Sequence, residues 1–438
     1  MLTGFGCLAL AVAGLALAAS GDFDRSFSGD GIAKTGFGAG GHGYGFAWAV
    51  AVQPNDRVVI AGATNSGDFG LARFRSNGEL DRSFGDEGTV RIDFGGAEGA
   101  EDVAVRRDGR IVVVGDALVG GRTVIGVARL RPSGDFDPSF GTGGKQILDP
   151  FEPCAETWRN LTLALKRGGD ILVGGTESAC GDVNNPGFVA RLDPGGDLDP
   201  SFADGGVKRM RLVLGAGVST YVNELIVDSR DRIAAAVTTF DPSDERSARA
   251  VMVRLRPNGD YDASFSGDGR KVLRARVTRS IDSALGSIAA APHGRLLGTG
   301  RAYDKMLVVR VKGSGAFDRS FAGDGVKTTG LGIRQLYGIV GQAVMPLRDG
   351  KSIVAADFEK ASGGNVVGRD VVARLRPNGS LDRSFSGDGK KVLRYRAAFT
   401  DAAMQANGKI LLAGVAGRSS SKAFVARLKN HERPFVMP

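Results

Sequence analysis

The chain is poor in the side chains on which most enzymes build their chemistry. Its 438 residues include three histidines, three cysteines and two tryptophans. His42, His293 and His431 lie far apart, and neither an H-x-x-x-H nor a C-x-x-C spacing occurs, which argues against a zinc site. No G-x-x-x-x-G-K-[ST] phosphate loop is present, and isolated strings such as Gly36-Phe37-Gly38 fall in loops. Tryptophan is too scarce for a quinone-cofactor protein; Trp48 and Trp158 open strands and are expected in the core. Helical periodicity of useful length is missing. Long apolar runs are missing too, except at the start.

Residues 1–20 carry no charge, and the apolar stretch Phe5 to Ala19 is too short to span a bilayer as a helix. Ala16-Leu17-Ala18 and Ala18-Ala19-Ser20 both fit a small-x-small cleavage site. Residues 1–20 are therefore expected to be a signal peptide, with the mature chain starting near Ala19 or Gly21 and secreted or periplasmic. The usual basic leader is missing, as it would be if the start codon were placed too far downstream; the alternative is a buried N-terminal strand. Cys7 lacks a lipobox, which argues against a lipid anchor. Cys154 and Cys180 remain, at nearly matching distances on either side of a hairpin turn near Gly168. In an oxidising compartment they are expected to form a disulfide across its open end.

Glycine is abundant, at 67 positions, and phenylalanine, at 23, is the dominant aromatic. Both follow from repetition. A D-x-S-F signature begins at Asp24, Asp81, Asp137, Asp199, Asp262, Asp318 and Asp382, at successive spacings of 57, 56, 62, 63, 56 and 64 residues. Residues 21–438 are tiled with no room for a second domain. After each signature come a Gly-rich turn, a strand such as the one beginning at Lys390, and two apolar runs. A short turn joins those runs, such as Asp108-Gly109, Gly168-Gly169, Asp349-Gly350 or Asn407-Gly408. These dipeptides predict two-residue type I′ hairpins. A run like Val189–Leu192 (V-A-R-L) ends the unit. Four short strands per unit, seven times over, predict an all-β fold: a seven-bladed β-propeller of four-stranded antiparallel blades. The N- and C-terminal segments close the ring. An open solenoid is the alternative.

The pattern G-x-L-D-x-S-F, clearest at Gly379–Phe385, with the turn at Asn407–Ile410 and the V-A-R-L runs, resembles the delta-60 repeat family. The resemblance spans essentially the whole mature chain; repeat five is a weaker copy, with Pro292-His293-Gly294 at its turn. It implies a bacterial, mostly exported β-propeller of unknown function, and supplies no catalytic residues.

Several repeated residues look chemical. Arg73, Arg129, Arg191, Arg254, Arg310 and Arg374 each precede a signature Asp by eight residues. Seven converging unpaired cations would repel, so an Arg–Asp pair in each blade is expected rather than an anion channel. Eight residues beyond Arg427 lies Phe435, so its carboxylate must be Asp24, and the chain termini must meet. The signature Phe is expected between blades, and the signature Ser on local backbone groups. The acids of Asp22–Gly31 invite a calcium reading. Yet Ala316 and Ser380 replace the acid at the place of Asp22, and Gly143 and Gly205 replace that at Asp30. Capped turns are the reading adopted.

The net charge of +9 would favour acidic partners, but no compact basic block or aromatic platform supports nucleic-acid binding. Loops Gly38–Gly45, Glu152–Thr157, Phe240–Arg246 and Ala361–Gly368 vary between units and are expected on one face. No catalytic, cofactor-binding or metal residues are assigned. The functional expectation is a secreted, monomeric, non-catalytic module that binds an extracellular protein or carbohydrate or serves a structural role. The alternative is an extracellular hydrolase or lyase acting on a polysaccharide. An enzyme would show unrepeated acids converging in a deep channel; Asp241, Asp244, Glu245 and Asp357 are available but form no set by spacing.

Overall fold

A computed structural model of the chain describes residues 20–436 apart from 152–158, 178–184, 213–217, 242, 245–246, 274–281, 334–335, 363–364, 394–396 and 417–421. The segment before Ser20 that is expected to be a signal peptide, Trp158, and Cys154 with Cys180 lie outside the described residues. No described helix is long and apolar enough to cross a membrane.

The second and third runs of each repeat are apolar at consecutive positions, as in Ile111–Val114 and Phe69–Phe74, and they are buried on both faces. A strand with that pattern needs a covering layer on each side. Radial stacking provides both layers. Seven antiparallel sheets of four strands form the blades. Blade 1 runs Phe46–Val52, Val58–Ala63, Phe69–Phe74, Thr89–Ile92 from inside to outside. The other inner strands are Glu98–Val105, Arg159–Leu165, Ser219–Val227, Ser283–Ala291, Leu336–Pro346 and Ala397–Met404. They touch one another in turn and wall a central channel.

Blades and sequence repeats are out of phase. The short strand after each signature is the outer strand of the blade before it, as Thr89–Ile92 is for blade 1. Blade 7 therefore lacks an outer strand of its own. Ile32–Thr35 fills the place, pairing antiparallel with Ala423–Ala426. Asp24 Oδ2 accepts from Arg427 Nε at 2.9 Å, so the termini meet where the repeat requires.

The same cluster recurs at each blade. The arginine donates to the signature carboxylate, as in Arg73–Asp81, Arg129–Asp137, Arg254–Asp262, Arg310–Asp318 and Arg374–Asp382, at 2.7–2.9 Å. Arg191 reaches Asp199 through Nη2 at 2.6 Å instead. A second guanidinium nitrogen meets the signature Ser hydroxyl, and the plane lies over the signature Phe, 4.4–5.3 Å from its centroid. The remaining nitrogen crosses to the next blade and donates to a carbonyl of its turn: Pro132, Pro194, Pro257, Gly313, Pro377 or Ser76. Arg374 faces the ring closure and finds the Asn430 side chain at 2.9 Å. Phe27, Phe84, Phe140, Phe202, Phe265, Phe321 and Phe385 are all buried.

Three expectations need correction. The Ser hydroxyl donates to the signature Asp, at 2.7 Å for Ser83, rather than to backbone, because the carboxylate lies two residues away with a free lone pair. The hairpin turns are not type I′. Only the glycine of each pair has positive φ, as at Gly109, Gly169, Gly350 and Gly408. Arg106 accepts from Gly109 and donates to Arg110, which is a type I turn followed by a left-handed residue. Asp108 favours this form because its carboxylate accepts the Arg110 N–H at 3.0 Å. Lastly, residues 361–368 are mostly strand, since the second and third strands of blade 6 run Ser352–Ser362 and Asn365–Leu375. The late acids of the signature turns, such as Asp30 and Asp388, accept the N–H two residues on, the capped-turn arrangement.

Removing one partner of a buried ion pair strands the other, at a cost of about 3–5 kcal/mol. Asp24→Ala is expected to lower unfolding free energy by roughly that amount in urea titration, and to expose residues 21–35 to limited proteolysis before any other segment. An unchanged midpoint with uniform cleavage would contradict closure through this pair.

Candidate functional site

Each inner strand except that of blade 3 carries an extra residue against its neighbour, four positions before the strand ends in blades 1, 2, 4, 6 and 7 and five before in blade 5; blade 6 has a second, at Gly338. Blade 3 has a wider irregularity at the same level, between Arg159 and Thr162. Counting back from the hairpin, the residue at this level is Trp48, Glu101, Leu161, Asn223, Gly286, Gln342 or Thr400. Bulges re-aim side chains, and here they surround a chamber of about 850 Å³ at the centre of the ring. The following residue forms a second tier: Ala49, Asp102, Thr162, Glu224, Ser287, Ala343 and Asp401. Neither tier repeats in chemistry. The motif positions build the ring, and the variable positions line the hole.

Three second-tier acids tie blades together. Asp401 accepts the Val50 N–H at 2.8 Å, Asp102 the Leu163 N–H at 2.7 Å, and Glu224 the Ile288 N–H at 2.6 Å. Each of those N–H groups lies on the edge of the next inner strand. Ser287 does the same for Val344 at 3.2 Å. Burial pushes Asp102 up to about 6, Asp401 to about 7 and Glu224 to about 8, against the pull of these N–H groups. Repulsion across the chamber adds to the rise at Glu224 and Asp401.

The bulged residue has a partner fifteen positions on, on the second strand of the same blade. Asn223 donates to Thr238 at 3.0 Å, and Gln342 to Asp357 at 2.7 Å. In blade 2 the pair is Glu101 and Asp116, two acids. Burial, together with Asp116 and Asp102, pushes Glu101 up to about 8, although its Oε2 accepts the Leu161 N–H. Burial also raises Asp116. Trp48 stands beside this pair. Gly99 leaves the room for it, since a Cβ there would meet the indole at 2.6 Å and the Asp116 carboxylate at 3.7 Å. Trp48 is 39% exposed, which corrects its assignment to the core: the bulge turns it out of the blade into the chamber. Phe46 and Tyr44, two and four residues earlier, are equally open.

Of the four acids available to an enzyme by sequence, Asp357 comes to the chamber wall through Gln342. It sits directly across from Asp370, which burial and that neighbour raise to about 7. Asp241 and Asp244 stay in the loop after Ile233–Phe240, where Asp241 accepts from Ser243 at 2.6 Å. Glu245 lies outside the described residues. The acids that do converge were not singled out from sequence. Their signal was the two successive unrepeated positions, four and three residues before the inner strand ends. Away from the channel, Asp68, Asp93 and Glu98 approach one another within 4.8 Å, but Arg91 already answers them, with 2.7 Å to Asp68.

Comparison with known proteins agrees with the ring. The family model described as "Domain of unknown function (DUF5122) beta-propeller" matches residues 53–84, 106–140, 169–202 and 347–385, segments that carry the hairpin and signature. No curated protein matches in sequence. Among solved structures, a polysaccharide lyase of family PL25, an ulvan lyase bound to -[GlcA(1-4)Rha3S]-, superposes with a TM-score of 0.52 at 11% identity. The match covers 92% of this chain and 98% of the lyase. The β-propeller domain of the Trilobed protease from Pyrococcus furiosus gives 0.44 at 11% identity, over 90% and 96%. At this identity the likeness is one of fold.

The raised acids fix a pH dependence. Between about pH 4 and about pH 8 the folded chain holds protons at Glu101, Asp102, Glu224, Asp370 and Asp401 that the unfolded chain has lost, so stability falls as pH rises through that window. The signature acids act oppositely. Burial alone would raise Asp24, but Lys409, Ser26 and Arg427 outweigh it and hold the carboxyl at about 2. Ser139 and Arg129 likewise hold Asp137 at about 2 against its burial. Their contribution is lost as pH falls from about 4 towards about 2. Thermal unfolding is expected to peak near about pH 5, with Glu224→Gln flattening the alkaline limb. A Tm that rises from pH 5 to pH 8 would contradict the burial of these acids.

Proposed function

We propose that the protein is an exported, non-catalytic binding module, and that the ligand is a neutral carbohydrate held in the central chamber. The observation that carries this is the grouping of Trp48 with Glu101 and Asp116 at the boundary of blades 1 and 2. An open indole offers an apolar face to sugar C–H groups. Carboxyl and amide side chains beside it supply paired acceptors and donors for hydroxyls. Asn223 and Gln342 add amides on the opposite wall.

Charge decides the class of sugar. The protein as a whole is cationic, yet the chamber gathers five acids and is lined by no lysine or arginine. An anion placed among these buried acids would find no cation to pair with. A neutral or amino sugar fits; a uronate or sulfated one does not. The lyase of similar fold shows that such a ring can take a polysaccharide. The choice of a neutral one rests on the residues here.

One observation favours the rival reading, hydrolysis of a polysaccharide. Glu101 is a carboxyl that holds its proton near neutral pH beside a second acid, as a general acid does. Three of the other chamber acids are occupied in joining blades, so binding is the reading adopted.

The test is calorimetric titration and product analysis on the same preparation, with neutral glycans as ligands. Trp48→Ala is expected to weaken binding about tenfold or more. Glu101→Gln is expected to bind, and no shortened glycan should appear with either protein. Turnover that Glu101→Gln abolishes would replace this reading with the hydrolase, and uronate-selective binding would overturn the charge argument.

A further inference from the structure

The bulge level of the ring has one gap. Six blades place a side chain there, and blade 5 places Gly286. Its partner fifteen residues on is Arg301, so blade 5 combines an empty first position with a long side chain at the second. Beyond the gap, between blades 4 and 5, lies a second cleft of about 350 Å³. Tyr221 and Phe240 line it, with Asn223, Thr238 and Arg301 as its polar groups. Asn160, Asn223 and Gly286 border both spaces, so the cleft adjoins the chamber at this point.

The polar groups of the cleft are held in place. Asn223 donates from Nδ2 to Thr238 at 3.0 Å and to the Leu285 carbonyl at 2.7 Å. Thr238 also accepts the Leu285 N–H at 3.2 Å. Arg301 donates to Asp282 at 2.8 Å, which fixes it in the cleft lining while it stays 35% exposed. Aromatic wall, fixed amide and oriented guanidinium make a surface suited to hydroxyl-rich ligands. The geometry is not that of a backbone forced to use glycine, because φ at Gly286 lies outside the left-handed region. A Cβ there would stand 3.1 Å from the Gly341 carbonyl oxygen, tight but open to a small adjustment.

We propose that this cleft is a second saccharide subsite, reached through the gap at Gly286. The ligand is then an extended oligosaccharide that runs from Trp48 across the chamber to Tyr221. The inference rests on the carbohydrate reading above and adds chain length to it. Binding energy from the far subsite is available only to a ligand long enough to span the chamber.

The experiment is titration of the full chain with ladders of β-1,4-linked gluco-, manno- and xylo-oligosaccharides, from disaccharide to hexasaccharide. Affinity is expected to rise at least about tenfold along the ladder that binds. Gly286→Gln, which installs the side chain that blade 6 carries, and Tyr221→Ala, which removes a wall without adding bulk, should each abolish that rise. Disaccharide affinity should stay unchanged in Tyr221→Ala. Trp48→Ala should weaken every length alike. Equal affinity for short and long ligands, or a rise that both cleft variants retain, overturns the second subsite and leaves the first standing. Failure of every ladder to bind overturns the carbohydrate reading and the subsite with it.

Discussion

Each blade is joined to the next by one guanidinium group. It satisfies the carboxylate and hydroxyl of its own D-x-S-F turn, lies on the buried phenyl ring of that turn, and donates to the neighbouring blade. Used in this way, a buried cation is compensated by its own turn and by the next blade, although at Arg191 Nε is left without a partner and Nη2 serves both Asp199 and Ser201. The same turn adds a backbone bond, such as Gly85 N–H to the Ser133 carbonyl. A unit built like this cannot satisfy itself alone, since one donor always reaches into the next copy. Closure follows from that requirement. At the last joint Arg427 meets Asp24, Ser386 N–H meets the Ser20 carbonyl, and Asn430 stands in for the missing carbonyl beside Arg374.

With the rim of each blade fixed by repetition, the inner strands are free to differ. Their bulges place one residue per blade at the channel, and the next residue faces the neighbouring blade. Acids at that next position do two jobs. They accept an otherwise open edge N–H, and they make the lumen acidic in a cationic protein. The Trp48 cluster and the gap at Gly286 lie in different sectors of one wall, which is why a single extended ligand accounts for both.

Fold was legible because its determinants repeat: seven signatures, seven hairpins, seven arginines. The partner of Arg427 could even be named from Phe435, which stands where the repeat would put an acid. Turn type was misread, because Asp108-Gly109 suits two turn geometries, and the deciding bond from Asp108 to Arg110 is a matter of side-chain rotation. The site was less legible for the opposite reason. Trp48, Glu101 and Gly286 share a level in space but no residue type, and a bulge, which shifts register by one, decides whether they face core or channel. Trp48 in an apolar strand reads as core until the bulge is seen. The delta-60 resemblance spoke to the repeat, and neither it nor the matched family model speaks to the lumen.

The central claim is that repeated positions build the ring and unrepeated ones bind within it. A crystal structure of the protein with a neutral hexasaccharide tests this most directly. The account predicts sugar density inside the ring, with one ring stacked on Trp48 and the chain leading past Gly286. Density confined to the outer loops, with an empty channel, would contradict it.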